Sequence, residues 1–261
     1  MGTASLLVLL WALPFVLVVG GVVESLPTLN VDIKQTSVSG LSGGAFFAVQ
    51  MHVAHSSIMK GAGIFAGGPY DCAQGRVNTA LTSCMNGIPK PNVQTSINTT
   101  TTRSRAGSID DTANLLSHRV YMFSGKEDTT VKKPVMDALF SYYQAFLSNT
   151  TQILYEMTIS AAHTQPTTDP SQNSCSKSYT PFISYCDYDG AGVALSHIYG
   201  ALKPPQWGDS MAGSLIEFDQ SQFLADPSSK SVAPTGFAYI PQACAKMESC
   251  KVGIEPSFGR F

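Results

Sequence analysis

Charge is scarce in this sequence. Its 16 Lys and Arg and 18 Asp and Glu amount to 13% of 261 residues, about half of the ~25% usual for soluble domains. The net charge of −2 comes with no basic stripe, which excludes a nucleic-acid partner held by electrostatics. No run of like charges exists, so a charged, disordered tail is excluded as well. The 22 Gly and 15 Pro follow no period, against a collagen-like or low-complexity chain. No repeat of 20–50 residues is visible, against solenoids and propellers. CxxC pairs and His at ligand spacing are missing, which argues against zinc.

One long hydrophobic run is present. No charged side chain occurs before Glu24, and Leu6 to Val19 is almost unbroken Leu, Val, Ala, Trp and Phe. This reads as a signal peptide over residues 1–25, cleaved between Gly21 and Ser25. An uncleaved anchor is the alternative, since the run could just cross a bilayer. Pro14, Gly20, Gly21 and the lack of flanking basic residues favour removal, leaving residues 26–261 as one domain. No other segment is apolar enough to span, so no stable membrane insertion is expected after cleavage. Six cysteines fall into three close pairs: Cys72 and Cys84, Cys175 and Cys186, Cys244 and Cys250. Six allow fifteen connectivities; local closure is the simplest, because each loop is short and rich in turn residues. Asn98-Thr-Thr and Asn149-Thr-Thr are glycosylation sequons. All three signals point to export and an extracellular protein.

Elements alternate along the mature chain. A strand at Lys34–Ser39 runs into Gly40-Leu-Ser42-Gly-Gly44, followed by a helix over Ala45–Ala54 that is apolar on nearly every side. A second strand covers Gly61–Ala66. Residues 70–106 read as a disulfide-pinned loop region. Ser108 caps a predicted helix to Ser117, with Asp110 and Asp111 in its first turn. Strands follow at Arg119–Ser124 and Gln152–Ile159, separated by a helix whose apolar face is Val135, Met136, Leu139, Phe140, Tyr143, Phe146 and Leu147. The last helix is Tyr188–Leu202, ended by Lys203-Pro-Pro205. Such alternation predicts an α/β fold, a mostly parallel sheet covered by helices. Three short strands in the tail, Ser214–Phe218, Gly236–Ile240 and Cys250–Ile254, read as a hairpin-type extension of that sheet.

Gly40-x-Ser42-x-Gly44 between a strand and a helix is the setting of a nucleophile elbow. A serine there stands clear of the sheet, and the amide of Gly43 and the helix N-terminus face the developing oxyanion. Such a serine needs a base and an orienting acid, in the chain order Ser, acid, His. His52 and His55 lie on or just behind the apolar helix, where packing or capping is the better reading. His118 precedes a strand and His197 lies inside a helix. His163, in a loop after a strand, is the base candidate. Asp128 follows Arg119–Ser124 in the loop Gly125-Lys-Glu-Asp128-Thr-Thr130 and is the acid candidate, with its neighbour Glu127 as competitor and helix capping as its other role. Asp187 and Asp189 come after His163 and break the order.

Several separated stretches resemble secreted poly(3-hydroxybutyrate) depolymerases of the compact extracellular type. They are Ser37-Val-Ser-Gly-Leu-Ser42-Gly-Gly, Ala66-Gly-Gly-Pro-Tyr-Asp-Cys72, Val120-Tyr-Met-Phe-Ser-Gly-Lys-Glu-Asp128-Thr-Thr-Val, His163-Thr-Gln-Pro-Thr, and Cys175 through Cys186-Asp-Tyr-Asp-Gly-Ala-Gly192. The resemblance runs from about Leu26 to Cys250. It implies a serine carboxylesterase with Ser42 as nucleophile, Asp128 as acid and His163 as base, and local pairing of the six cysteines. Its substrate would be a polyester or a short 3-hydroxyacid ester, with no metal or organic cofactor, as an acyl-enzyme route needs none. The implied fold is a circularly permuted α/β-hydrolase, in which tail strands supply what ordinarily precedes the elbow.

The tail departs from that family. After Cys250 the resembled proteins continue into a His-Gly-Cys turn that completes the oxyanion hole, then further sheet, helix and a binding tryptophan. This sequence reads Lys251 to Phe261 instead, and Trp207 is not a match for that tryptophan. The expectation is therefore a C-terminally truncated member with incomplete C-terminal strands and activity in doubt, Gly43 being the one nameable oxyanion donor. A catalytically impaired secreted homologue acting as a binding protein, and an esterase on another acyl substrate, stand as alternatives. Oligomeric state leaves no signal in the sequence.

Overall fold

The structure, a computed structural model, describes residues 25–202, 213–230 and 232–256. Residues 1–24 of the expected leader and the Pro-rich connection carrying Trp207 lie outside the described residues. Two compact units emerge: one holds residues 30–202 and 248–256, the other residues 25–29 and the segment between 213 and 247. Among the described residues no helix is long and apolar enough to cross a membrane.

The larger unit is built on five parallel strands. β1 (Val31–Leu41) is followed by α1 (Gly43–Ala54), and β2 (Met59–Phe65) returns beside it. Next come α2 (Val77–Thr79), which runs into a π-helical stretch at Ala80–Asn86, and α3 (Val93–Arg105). β3 (Arg119–Phe123), α4 (Lys133–Gln144) and β4 (Ile153–Glu156) complete the run. Beyond it lie β5 (Gln165–Thr167), β6 (Asn173–Ser174), β7 (Ile183–Tyr185) and α5 (Gly190–Tyr199). In the other unit β8 (Gly213–Asp219), β9 (Thr235–Pro241) and the short α6 (Gln242–Ala245) follow. The chain re-enters the larger unit at β10 (Cys250–Ile254), and the main sheet has the order β10-β1-β2-β3-β4.

Strand side chains alternate between two cores, as the two-residue period of a sheet demands. Val38, Ala62, Ile64, Val120 and Met122 point to one side, where Ala45, Ala48 and Val49 of α1 and Met136 and Leu139 of α4 pack. Phe65, Tyr121 and Phe123 point to the other, against Ala194 of α5. Helices thus cover both faces, which buried parallel strands require. β10 lies parallel to β1, with Val38 opposite Ile254. A strand from residues 250–254 therefore flanks the strand at residues 31–41, the arrangement a circular permutation produces.

Four sequence expectations need correction. Residues 70–106 are not mostly loop: they hold α2, the π-helical stretch and the thirteen-residue α3. The predicted helix from Ser108 is only a 3₁₀ segment at Thr112–Ser117, and its cap is Asp111, whose carboxylate accepts the amide of Ala113 at 2.8 Å. The excursion between β4 and α5 forms a small parallel sheet, β5-β7-β6, that the sequence reading missed. Of the three tail strands only β10 joins the main sheet. β8 and β9 form an antiparallel pair of their own, with Ser214 opposite Ile240 and Phe218 opposite Gly236. A paired β8 and β9 satisfy their inner hydrogen bonds with each other and need no strand of the main sheet to do so.

Candidate active site

Parallel register brings the ends of β1 to β4 into one line. Leu41 pairs with Phe65, Phe65 with Phe123, and Phe123 with Glu156. Each chain then leaves the sheet at the same edge. The amides of Ser42, Ala66 and Ser124 donate to the carbonyls of Phe65, Phe123 and Glu156, all at 2.9 Å.

Ser42 is the turn between β1 and α1. Its backbone sits at φ 57, ψ −122, a region that costs a non-glycine residue on the order of 1–3 kcal/mol and persists only where neighbours fix it. Its amide is held by Phe65, and its carbonyl accepts the amide of Phe46 at 2.9 Å, starting α1. Gly40 is needed because a Cβ there would meet the backbone carbon of Gly44 at 2.5 Å. Gly43 opens α1 and is exposed; amides of a first helical turn have no partner inside the helix and face outward for an anion.

Asp128 lies in the loop after β3, zipped to the segment after β4. Lys126 and Glu127 donate their amides to the carbonyls of Ile159 (2.9 Å) and Ala161 (3.0 Å). Gly125 permits this approach, since a Cβ would come within 2.2 Å of the Ala161 oxygen. The Asp128 carboxylate is divided: Oδ1 accepts the amides of Thr130 (2.8 Å) and Val131 (2.9 Å), and Oδ2 meets His163 Nδ1 at 2.8 Å. A carboxylate can only accept, so Nδ1 is the donor of this bond. Both side chains are buried, 7% exposed for His163 and 2% for Asp128. Glu127, the competitor, is exposed. Asp128 does not cap α4, whose N-cap is Lys132.

The other histidines serve elsewhere. His52 is fully buried on α1 and bonds to Tyr143 and His118. His118 directly precedes β3, at the sheet end opposite Asp128. His55 ends α1 by donating its amide to Met51, and His197 meets the Gln152 carbonyl at 2.9 Å.

Beside Ser42 and Gly43 opens a cleft of about 460 Å³, lined by Phe46, Phe47 and Gln50 of α1, the loop Asp71–Gly75, Ala80, Cys84, Met85 and Val131. Apolar residues thus have a use on the outer side of α1, where Phe47 is 45% exposed. The loop wall is fixed by the Cys72–Cys84 disulfide, by Arg103, which donates to Tyr70 Oη and Asp71, and by the Asp71 amide, which donates to Gln50. Gln50, Asp71 and Met85 were missed in the sequence; only Asp71 lies in one of the quoted motifs. Cys175 and Cys186 form a second disulfide, Cys244 and Cys250 are also disulfide-bonded, and no cysteine is free.

A solved structure with the same architecture decides the family. The crystal structure of the PHB depolymerase from Penicillium funiculosum superposes with a TM-score of 0.79 and 38% sequence identity, over 88% of this chain and 70% of that one. The chain belongs to the poly(3-hydroxybutyrate) depolymerase family. Its fold is accordingly the circularly permuted α/β-hydrolase that the resemblance implied. The same scores hold for a PHB depolymerase, a serine-to-alanine variant, complexed with an R3HB trimer. Among curated proteins, the poly(3-hydroxybutyrate) depolymerase of Delftia acidovorans is 45% identical over 236 residues, 88% of this chain and 46% of that protein. The polyhydroxybutyrate depolymerase of Talaromyces funiculosus is 42% identical over 228 residues, 85% of this chain and 63% of that protein. The chain thus spans about half to under two thirds of the curated relatives' lengths. No family model matches.

Proposed function

We propose that this depolymerase-family chain is an exported serine carboxylesterase that hydrolyses poly(3-hydroxybutyrate) or related 3-hydroxyacid esters. The observation that carries the reading is the buried Asp128–His163 hydrogen bond, 2.8 Å long, made at the sheet edge where Ser42 stands in its strained turn. In the proposed cycle His163 Nε2 takes the proton of Ser42 Oγ as it attacks the ester carbonyl. The Gly43 amide and the N-terminus of α1 stabilise the oxyanion. His163 then protonates the departing alcohol, and the acyl group stays on Ser42 until water, activated by the same imidazole, releases the acid. Asp128 holds the tautomer and stabilises the imidazolium.

The R3HB trimer bound by a structural relative supports a polyester substrate, and the apolar cleft beside Ser42 suits a hydroxyalkanoate chain. Oxidised cysteines support export, and Asn98 and Asn149 are exposed sequons open to glycans. The test is labelling by a fluorophosphonate, with turnover of p-nitrophenyl butyrate and 3-hydroxybutyrate oligomers measured alongside. Wild-type protein should be labelled at Ser42 and be active, and Ser42→Ala should lose both. Folded protein that takes no label overturns the reading.

A further inference from the structure

The base sits on irregular backbone, and something must fix it. His163 lies between β4 and β5, in a segment with no regular secondary structure. On its N-terminal side the Ala162 amide donates to the Cys175 carbonyl at 2.9 Å. On its C-terminal side the Gln165 amide donates to the Phe182 carbonyl at 2.8 Å. The neighbour, Thr164, is 1% exposed, and its hydroxyl donates to the same Phe182 carbonyl at 2.9 Å. Thr164 Oγ1 also lies 2.8 Å from the hydroxyl of Ser184, which is fully buried.

A hydroxyl has one proton to give. The Thr164 proton goes to the Phe182 carbonyl, and the Ser184 hydroxyl faces two acceptors, Thr164 Oγ1 at 2.8 Å and the Lys177 carbonyl at 3.4 Å. The shorter contact makes Thr164 Oγ1 the better acceptor, so the buried chain runs from Ser184 to Thr164 and ends on the Phe182 carbonyl. That carbonyl belongs to a residue at φ 60, the left-handed region, where a bulky aromatic is an outlier. Strain of this kind persists where surroundings over-determine it. Here two donors flanking one peptide, Thr164 Oγ1 and the Gln165 amide, converge on the Phe182 oxygen and hold it.

We propose that Thr164 is a positioning residue for His163: through Phe182 and Ser184 its hydroxyl fixes the backbone that sets the imidazole against Asp128. Its catalytic consequence rests on the triad assignment above. Val is isosteric with Thr but leaves the Ser184 hydroxyl only the longer contact to the Lys177 carbonyl and the Phe182 carbonyl one donor, the Gln165 amide, which loosens the backbone under His163. Misplacement of a reacting group by about 1 Å can cost on the order of 100-fold in rate.

The test compares wild type with Thr164→Val, Thr164→Ser and Ser184→Ala, using two independent readouts. The first is the His163 Nδ1 proton, followed by NMR and assigned by its loss in His163→Gln. It should be sharp and slowly exchanging in wild type and Thr164→Ser, and broadened or lost in Thr164→Val. The second is ester turnover, where Thr164→Val should lower kcat about 10- to 100-fold at unchanged KM, with rescue in Thr164→Ser. Ser184→Ala, which keeps the bond from Thr164 to Phe182, should give a smaller change of the same kind and carries the test if Thr164→Val does not fold. An unchanged Nδ1 proton in folded Thr164→Val, or a lower melting temperature with normal kcat, overturns the proposal. Wild type with a sharp Nδ1 proton but no turnover overturns the esterase reading and leaves the positioning result standing.

Discussion

The His52–His118 pair makes folding stability depend on acid. His52 Nδ1 meets Tyr143 Oη at 2.9 Å and its Nε2 meets His118 Nδ1 at 3.0 Å, with His52 fully buried and His118 6% exposed. Burial pushes His118 down from 6.5 to about 4, helped by the nearby Lys60 ammonium. Burial and then His118 hold His52 well below its ordinary value. The unfolded chain takes up these protons near pH 6.5, whereas the native state refuses the His118 proton until about pH 4. The unfolded state therefore binds more protons between these limits, and stability falls as pH falls through that window. For His118 a gap of about 2.5 pH units at 1.36 kcal/mol per unit comes to at most about 3 kcal/mol, and His52 adds to it with the same sign. That is a large part of a net stability of about 5–15 kcal/mol. Urea unfolding of wild type and His118→Gln from pH 8 to pH 4 measures it. Wild type should be insensitive to this pair above pH 7 and should lose up to about 3 kcal/mol more than the variant on acidification. Equal pH dependence in the two proteins would refute the reasoning.

Two further outcomes follow from the site and its wall. Asp128→Asn offers His163 an amide in place of an acceptor pair and should lower kcat for a soluble ester by roughly 10³–10⁴-fold, with a far-ultraviolet circular dichroism spectrum like that of wild type. Replacing Cys72 and Cys84 together by Ser opens a loop of sequence separation 12, worth about 3 kcal/mol by chain entropy. Calorimetry should then show a melting temperature lower by roughly 6–12 °C, and KM should rise because the cleft wall moves.

The parallel sheet and its alternation with helices were legible because parallel strands and their crossover helices write themselves as apolar runs. Val38, Ala62, Ile64 and Val120 are buried wherever the elements are drawn. The turn at Ser42 was legible from two glycines, whereas position after β3 left Asp128 and Glu127 both open, and only the family resemblance named Asp128. Helix α3 was not legible. Its sequence, Val-Gln-Thr-Ser-Ile-Asn-Thr-Thr-Thr-Thr-Arg-Ser-Arg, is polar and rich in β-branched residues with weak helix preference. Tertiary contacts stabilise it instead: Thr100 Oγ1 lies 2.7 Å from Tyr142 Oη, Val93 and Ile97 pack on the main core, and Asn92 caps its start. The cleft wall escaped for a related reason. Gln50, Asp71 and Met85 come from three separate segments, and only the folded chain shows them together. The support beneath His163 is likewise a matter of hydroxyl positions that no spacing rule encodes.

The pairing of β10 with β1 sets an order of events during synthesis. β1 can find β2 as soon as a short helix has emerged, and β3 and β4 can add in turn. Its other edge has to wait for residues 250–254. At about 5–20 residues per second, the intervening ~200 residues take roughly 10–40 s to make. For that interval the strand leading into Ser42 presents a row of unpaired amides and carbonyls, the kind of edge on which strands of other chains add. The strand leading into Ser42 is thus the last part of the sheet to be closed, and a growing chain holds that turn beside an unfinished seam.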